Sequence, residues 1–217
     1  MFLWQTYAYL MQRGGWVMWP LLGLSVVGLA LIIERIWFWA RLNGRGRLAR
    51  VRRMANLLRQ GDRHTAGQLA ADDAGLYGRV VQGLLAEKFS DALATEVVEA
   101  QRRRLERFMP TLSTIITAAP MIGILGTVVG IINSFELLSQ RGLTTDMGRV
   151  GEGIAQALIT TAAGLVIALI VLFPYNAFRA QIEWTLGRIE SLVAAAARSA
   201  AAPAGPSSSS APPVKQQ

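Results

Sequence analysis

Val17 to Ile33, Met109 to Phe135 and Gly153 to Phe178 are three apolar runs without a charged residue. About 20 such residues cross a bilayer as a helix, and a single span in lipid must satisfy its own backbone, which leaves only helices and closed barrels. A soluble domain of 217 residues, 52% of them apolar, could bury a core but has no need of three such runs. The chain therefore reads as an all-α membrane protein with three transmembrane helices. Trp16, Trp19, Trp37, Phe38 and Trp39 flank the first run, as interfacial aromatics do. A cleaved signal peptide fits that run less well. Only Arg13 precedes it, and Glu34 and Arg35 follow where a small-residue cleavage site would stand.

The net charge of +8 raises the question of a nucleic-acid partner, but its placement answers differently. Of 22 Lys and Arg residues, 14 lie between Arg41 and Arg107, whereas the turn between the second and third runs holds only Arg141 and Arg149. That is the positive-inside pattern, supported by Arg179 and Arg188 beyond the third run. It predicts an N-terminus outside and a C-terminus inside, with residues 41–108 in the cytoplasm. The basic residues face anionic headgroups or solvent, and surface aromatics interleaved for nucleic acid are lacking, so no nucleic-acid partner is expected. No cysteine is present, which removes disulfides and thiolate metal sites. His64, the single histidine, lies in a polar stretch and makes no metal site alone.

The expected organisation is an interfacial segment at 1–15, helix 16–39, a helical cytoplasmic domain at 40–108, helix 109–138 and a periplasmic loop at 139–152. Helix 153–178, a cytoplasmic helix at 179–198 and a disordered tail at 199–217 follow. A lead-in loop is as good a reading of the first segment. Within the cytoplasmic domain, Arg47–Gln60 is a basic amphipathic helix closed by Gly61, followed by short helices at Thr65–Ala71 and Leu76–Lys88. Ser90 is a helix N-cap with Asp91 in the first turn. From Ser90 the pattern runs without a stop signal into the second apolar run. Continuous to about residue 138, it would be roughly 70 Å long, a long second helix extending into the cytoplasm and bent at Pro110 and Pro120. The Ser- and Pro-rich tail cannot bury a core.

Phosphate loops, zinc-type clusters, nucleophile elbows and a histidine placed as a base are all missing from the sequence. No catalytic residue, metal or cofactor is expected. Glu34 and Arg35 end the first run as an interfacial pair, and Glu136 ends the second. The polar groups left at bilayer depth are Thr127 on the second run and Gln156, Thr160 and Thr161 on the third. Gln156 and Thr160 lie about 40° apart around the helix, with Thr161 about 140° from Gln156. Each threonine can instead bond the carbonyl four residues back, and Gln156 can be an interhelical amide bond. Spacing alone leaves pore lining and structural glue equally open. Gly123, Gly126 and Gly130, with Pro120 and Gly164, are candidate helix-packing positions, since small residues let helices approach closely.

GGWVMWPLLGLSVVGLALIIER at 14–35, APMIGILGTVVGIINSF at 119–135 and GIAQALITTAAGLVIALIVLFPYN at 153–176 resemble the three membrane helices of the MotA/TolQ/ExbB proton channel family, in its ExbB/TolQ branch. The second block keeps that branch's A-P-x-x-G-x-x-G-T-V-x-G pattern. The resemblance covers the membrane portion. Residues 41–108 match mainly as a helical insertion, and the tail does not match.

The resemblance implies a bacterial inner-membrane subunit that forms a homo-oligomeric ring, pentameric in this family, whose second and third helices line a pore. The pore would hold a dimer of a single-span ExbD-like or TolR-like partner whose membrane aspartate carries the proton. A TonB-like or TolA-like protein would relay the work to the outer membrane. Thr127, Gln156 and Thr161 match pore positions. One departure is Gln156, where the branch commonly has glutamate in G-I-A-E-A-L. An amide cannot titrate, so the proton carrier would come from the partner. The competing reading is a non-conducting membrane scaffold ring that anchors a periplasm-spanning partner. ExbB-like and TolQ-like duty both remain open.

Overall fold

The computed structural model describes residues 15–42, 45–141 and 147–201. The interfacial segment expected at 1–15 lies outside these but for Gly15, as do the middle of the 139–152 loop and all but the start of the tail. Among the described residues seven helices follow in order: α1 Met18–Leu42, α2 Arg45–Arg59, α3 Arg63–Ala71, α4 Leu76–Ala86, α5 Asp91–Leu105, α6 Met109–Arg141 and α7 Met147–Ala201. No strand occurs among the described residues. Among the described residues α1, α6 and α7 are long and apolar enough to cross a membrane.

Local chemistry sets the short helix ends. Gly61, at φ 81°, follows α2 in the left-handed conformation that glycine adopts without penalty. Next to it, Asp62 Oδ1 accepts from the Thr65 amide at 3.0 Å and caps α3. Ser90 Oγ accepts from the Leu93 amide at 3.2 Å and caps α5, the capping role its sequence position predicts.

The continuous helix expected from Ser90 to about 138 does not form. α5 stops at Leu105, and Phe108 takes φ 68°, a left-handed conformation that costs a side-chain-bearing residue energy. The Met109 amide bonds the Glu106 carbonyl at 2.9 Å, and α6 starts afresh. Pro110 is the physical reason. Within a helix it could not donate to the Glu106 carbonyl and its ring would collide with it, whereas a first turn needs no such donor. The longest helix is instead α7, 55 residues or about 80 Å. It joins the third apolar run and the 179–198 segment, which the sequence outline kept apart, and carries Pro174 inside it.

The chain divides into two units, residues 1–39 with 106–181, and residues 40–105 with 182–217. In the first unit many large apolar side chains lie on the outside. Met18 and Leu21 of α1 bury against Ala119 of α6, with Ala163 and Ile167 of α7 packed beside them. Outside, Met121 is 70% and Phe173 72% exposed. Large apolar side chains left facing out suit a solvent of lipid, where close packing of helices, rather than water exclusion, holds them together. The second unit has the opposite order. Met54, Leu58, Val80, Leu84, Ile189 and Leu192 form a fully buried core, and Arg50, Arg52, Arg53 and Arg59 of α2 lie outside it.

Candidate functional site

The α6–α7 hairpin holds Thr127, Gln156, Thr160 and Thr161, the polar positions expected at bilayer depth. Its seam is built from residues with almost no side chain. A Cβ on Gly126 would run into the Thr160 side chain, one on Gly130 into Ala157, one on Gly153 into Ser134 and one on Gly164 into the Ala119 carbonyl. Gly123 lies against the backbone of Thr160 and Thr161, where an added Cβ would stand 3.0 Å from the Thr160 carbonyl oxygen. Steps of three and four residues on α6 thus meet steps of three and four on the antiparallel α7. Ridge and groove are both backbone. Pro120 sits within α6 next to Ala119 and leaves one main-chain bond of that turn unmade.

This closeness decides where the hydroxyls go. Thr161 Oγ1 donates to the Gly123 carbonyl at 2.8 Å, and Thr160 Oγ1 reaches the same oxygen at 3.3 Å while also bonding Ala157 O at 2.7 Å. Two adjacent residues, about 100° apart on their helix, reach one acceptor because Gly123 places no side chain between them. Thr160 is 2% exposed; Thr161 is half-buried. Thr127, also half-buried, donates to Ile124 O of its own helix at 2.6 Å.

Gln156 is half-buried and turns elsewhere. Its Nε2 stands 3.3 Å from the place a Cβ on Gly15 would take, so the amide reaches the chain entering α1. Gly15 has φ 62°, a conformation that glycine takes freely. The structure therefore brings Thr160 and Thr161 together on one carbonyl. No hydrogen bond among the described residues joins Thr127 or Gln156 to that pair.

Two features escaped the sequence. Ser134 Oγ bonds the Gly130 carbonyl at 2.8 Å and meets Gly153, adding a turn to the seam. Its signal was the four-residue step from Gly130. Arg35 forms the expected pair with Glu34 at 2.8 Å, but it is 1% exposed and its guanidinium lies over the rings of Phe38 and Phe108, at 4.8 and 5.3 Å. It is less an interfacial residue than a buried cation with aromatic faces. Chemically, the hairpin offers hydroxyls and amides, with no carboxylate, histidine, lysine or arginine in 109–135 or 153–178.

A profile of the MotA/TolQ/ExbB proton channel family matches residues 55–191, which takes in α6 and most of α7 but not α1. The putative biopolymer transport protein ExbB-like 3 of Synechocystis sp. is 34% identical over 194 residues, covering 82% of this chain and 91% of that protein. The Tol-Pal system protein TolQ of Pseudomonas aeruginosa is 40% identical over 95 residues, 42% of this chain and 39% of its own length. The biopolymer transport protein ExbB of Salmonella typhimurium is 41% identical over 99 residues, 44% of this chain and 40% of its own.

Proposed function

The chain belongs to the MotA/TolQ/ExbB proton channel family, and on that premise we propose that it is one subunit of a pentameric ring in a bacterial inner membrane. The N-terminus lies on the periplasmic side and the C-terminus in the cytoplasm. α6 and α7 of each copy line a central pore that holds a dimer of an ExbD/TolR-like single-span protein. The partner's membrane carboxylate carries the proton. Passage of protons moves ring and partner relative to each other, and a TonB/TolA-like protein takes the work to the outer membrane.

One observation carries this reading: a hairpin with polar side chains at bilayer depth and no carboxylate, histidine, lysine or arginine among them. Polar groups in lipid are costly unless partnered. Thr127, Gln156 and Thr161 are half-buried in the single chain; the two hydroxyls donate within the hairpin but keep lone pairs that can accept, and the Gln156 amide can both donate and accept. They would solvate the partner's carboxyl and a short file of water. Thr160, with its hydroxyl committed inside the seam, supports the lining from behind. The driving force is about 2.3 kcal/mol per charge per 100 mV, enough to bias small repeated steps.

The test is co-expression with the single-span partner, with proton leak and partner-dependent function measured in Thr127→Ala and Thr161→Ala variants. Loss in these variants is the expected result. Full function in both would remove the pore-lining assignment. Unchanged function after collapse of the proton gradient would favour the non-conducting scaffold.

A further inference from the structure

On α2, Leu48, Val51, Arg52, Ala55, Asn56 and Arg59 recur at three- and four-residue steps and so share one face. That face, with Arg188 and Ser191 of α7, encloses a groove of about 440 Å³. All of these residues belong to the second unit. Its lining holds three guanidinium groups and no carboxylate. Arg52 and Arg59 are exposed and make no ion pair among the described residues. Arg188 is half-buried and donates to the Tyr77 hydroxyl at 3.5 Å, a contact that uses one of its five N–H donors. Ser191 Oγ donates to the Arg188 carbonyl at 2.9 Å, which leaves its lone pairs open, and Asn56 adds an exposed amide. The floor is apolar: Val51 and Ala55 are buried and Leu48 half-buried.

Here Arg52 and Arg59 are joined by an arginine from far along the chain, around a concavity of the size that takes small ligands. Like charges gathered without a counter-ion repel, and a bound anion relieves them. Guanidinium forks match phosphate oxygens in pairs, and an apolar floor accepts the rest of an ester. We propose that this groove binds a phosphate-bearing anion: the phosphate between Arg52, Arg59 and Arg188, and the uncharged remainder against Leu48, Val51 and Ala55. Such a phosphate comes either from an anionic lipid headgroup or from a soluble ester.

The full chain in neutral detergent distinguishes these sources. Calorimetry with inorganic pyrophosphate reads the soluble arm. Native mass spectrometry with phosphatidylglycerol against phosphatidylcholine reads the lipid arm. Saturable binding in either arm is expected, and its arm names the source. The R52Q/R59Q variant should weaken it about tenfold or more, the loss of charged hydrogen bonds. The R50Q/R53Q variant removes the same charge from exposed positions outside the groove and should bind as wild type. Asn56→Trp, which fills the groove without altering charge, should also lose binding and serves if the glutamine pair does not fold. No saturable binding of either probe, equal loss in R50Q/R53Q, or wild-type binding by Asn56→Trp would each overturn the proposal.

Discussion

Gly126 and Gly164 govern the hairpin through the methyl groups they lack. Gly126→Ala would force a methyl into Thr160, and Gly164→Ala into the Ala119 carbonyl. Overpacking of this kind costs about 1–3 kcal/mol. Thermal unfolding in detergent should therefore show both variants destabilised. Gly23→Ala in α1, where an added Cβ meets nothing within 4 Å, should leave stability unchanged or slightly raised. A second prediction concerns Thr161, whose hydroxyl crosses the seam at 2.8 Å. Thr161→Ala should cost about 1 kcal/mol and Thr161→Ser much less, because serine keeps the donor. The glycine spacing was legible in the sequence, since periodicity alone marks a small-residue face. The meeting of Thr160 and Thr161 on Gly123 was not. Angles on one helix do not tell how near the next backbone comes, and that distance is set by both helices at once.

Among the elements, the cap at Ser90 was legible because capping is local. The break ahead of the second membrane helix was not, because Pro110 reads equally as a bend within a helix or the first turn of a new one. Phe108 decides the matter by taking φ 68° between α5 and α6. Its ring also meets the Arg107 guanidinium at 4.6 Å as well as Arg35. Phe108→Ala loses the ring and keeps the strained conformation, whereas Phe108→Gly loses the ring and relieves it. Glycine should therefore be the milder change by about 1 kcal/mol, measured by chemical or thermal unfolding. The α3 cap gives a pH prediction. Hydrogen bonding from Thr65, side chain first and backbone amide next, holds the Asp62 carboxyl below its ordinary range. Its charged form is thus favoured by folding, so its stabilisation is present above the unfolded value near 4 and lost as pH falls through the lower folded one. Between about pH 5 and 3, Asp62→Asn should lose less of its melting temperature than wild type, since the amide keeps an acceptor and does not titrate.

For the molecule as a whole, three apolar runs were enough to foresee an all-helical, multi-pass membrane protein, because lipid admits so few alternatives. Orientation rests on the placement of arginines. A cysteine at Arg53→Cys, unique in a chain without cysteine, should resist a membrane-impermeant thiol reagent applied from the periplasm. Labelling there would reverse the proposed topology. The central claim is that the ring supplies the passage and its partner supplies the titrating group. Proton flux into vesicles reconstituted with the purified chain, with and without the single-span partner, measures this directly. Flux should appear only with the partner and vanish when the partner's membrane carboxylate is replaced by an amide. Flux through the chain alone, or flux indifferent to that replacement, would contradict the account.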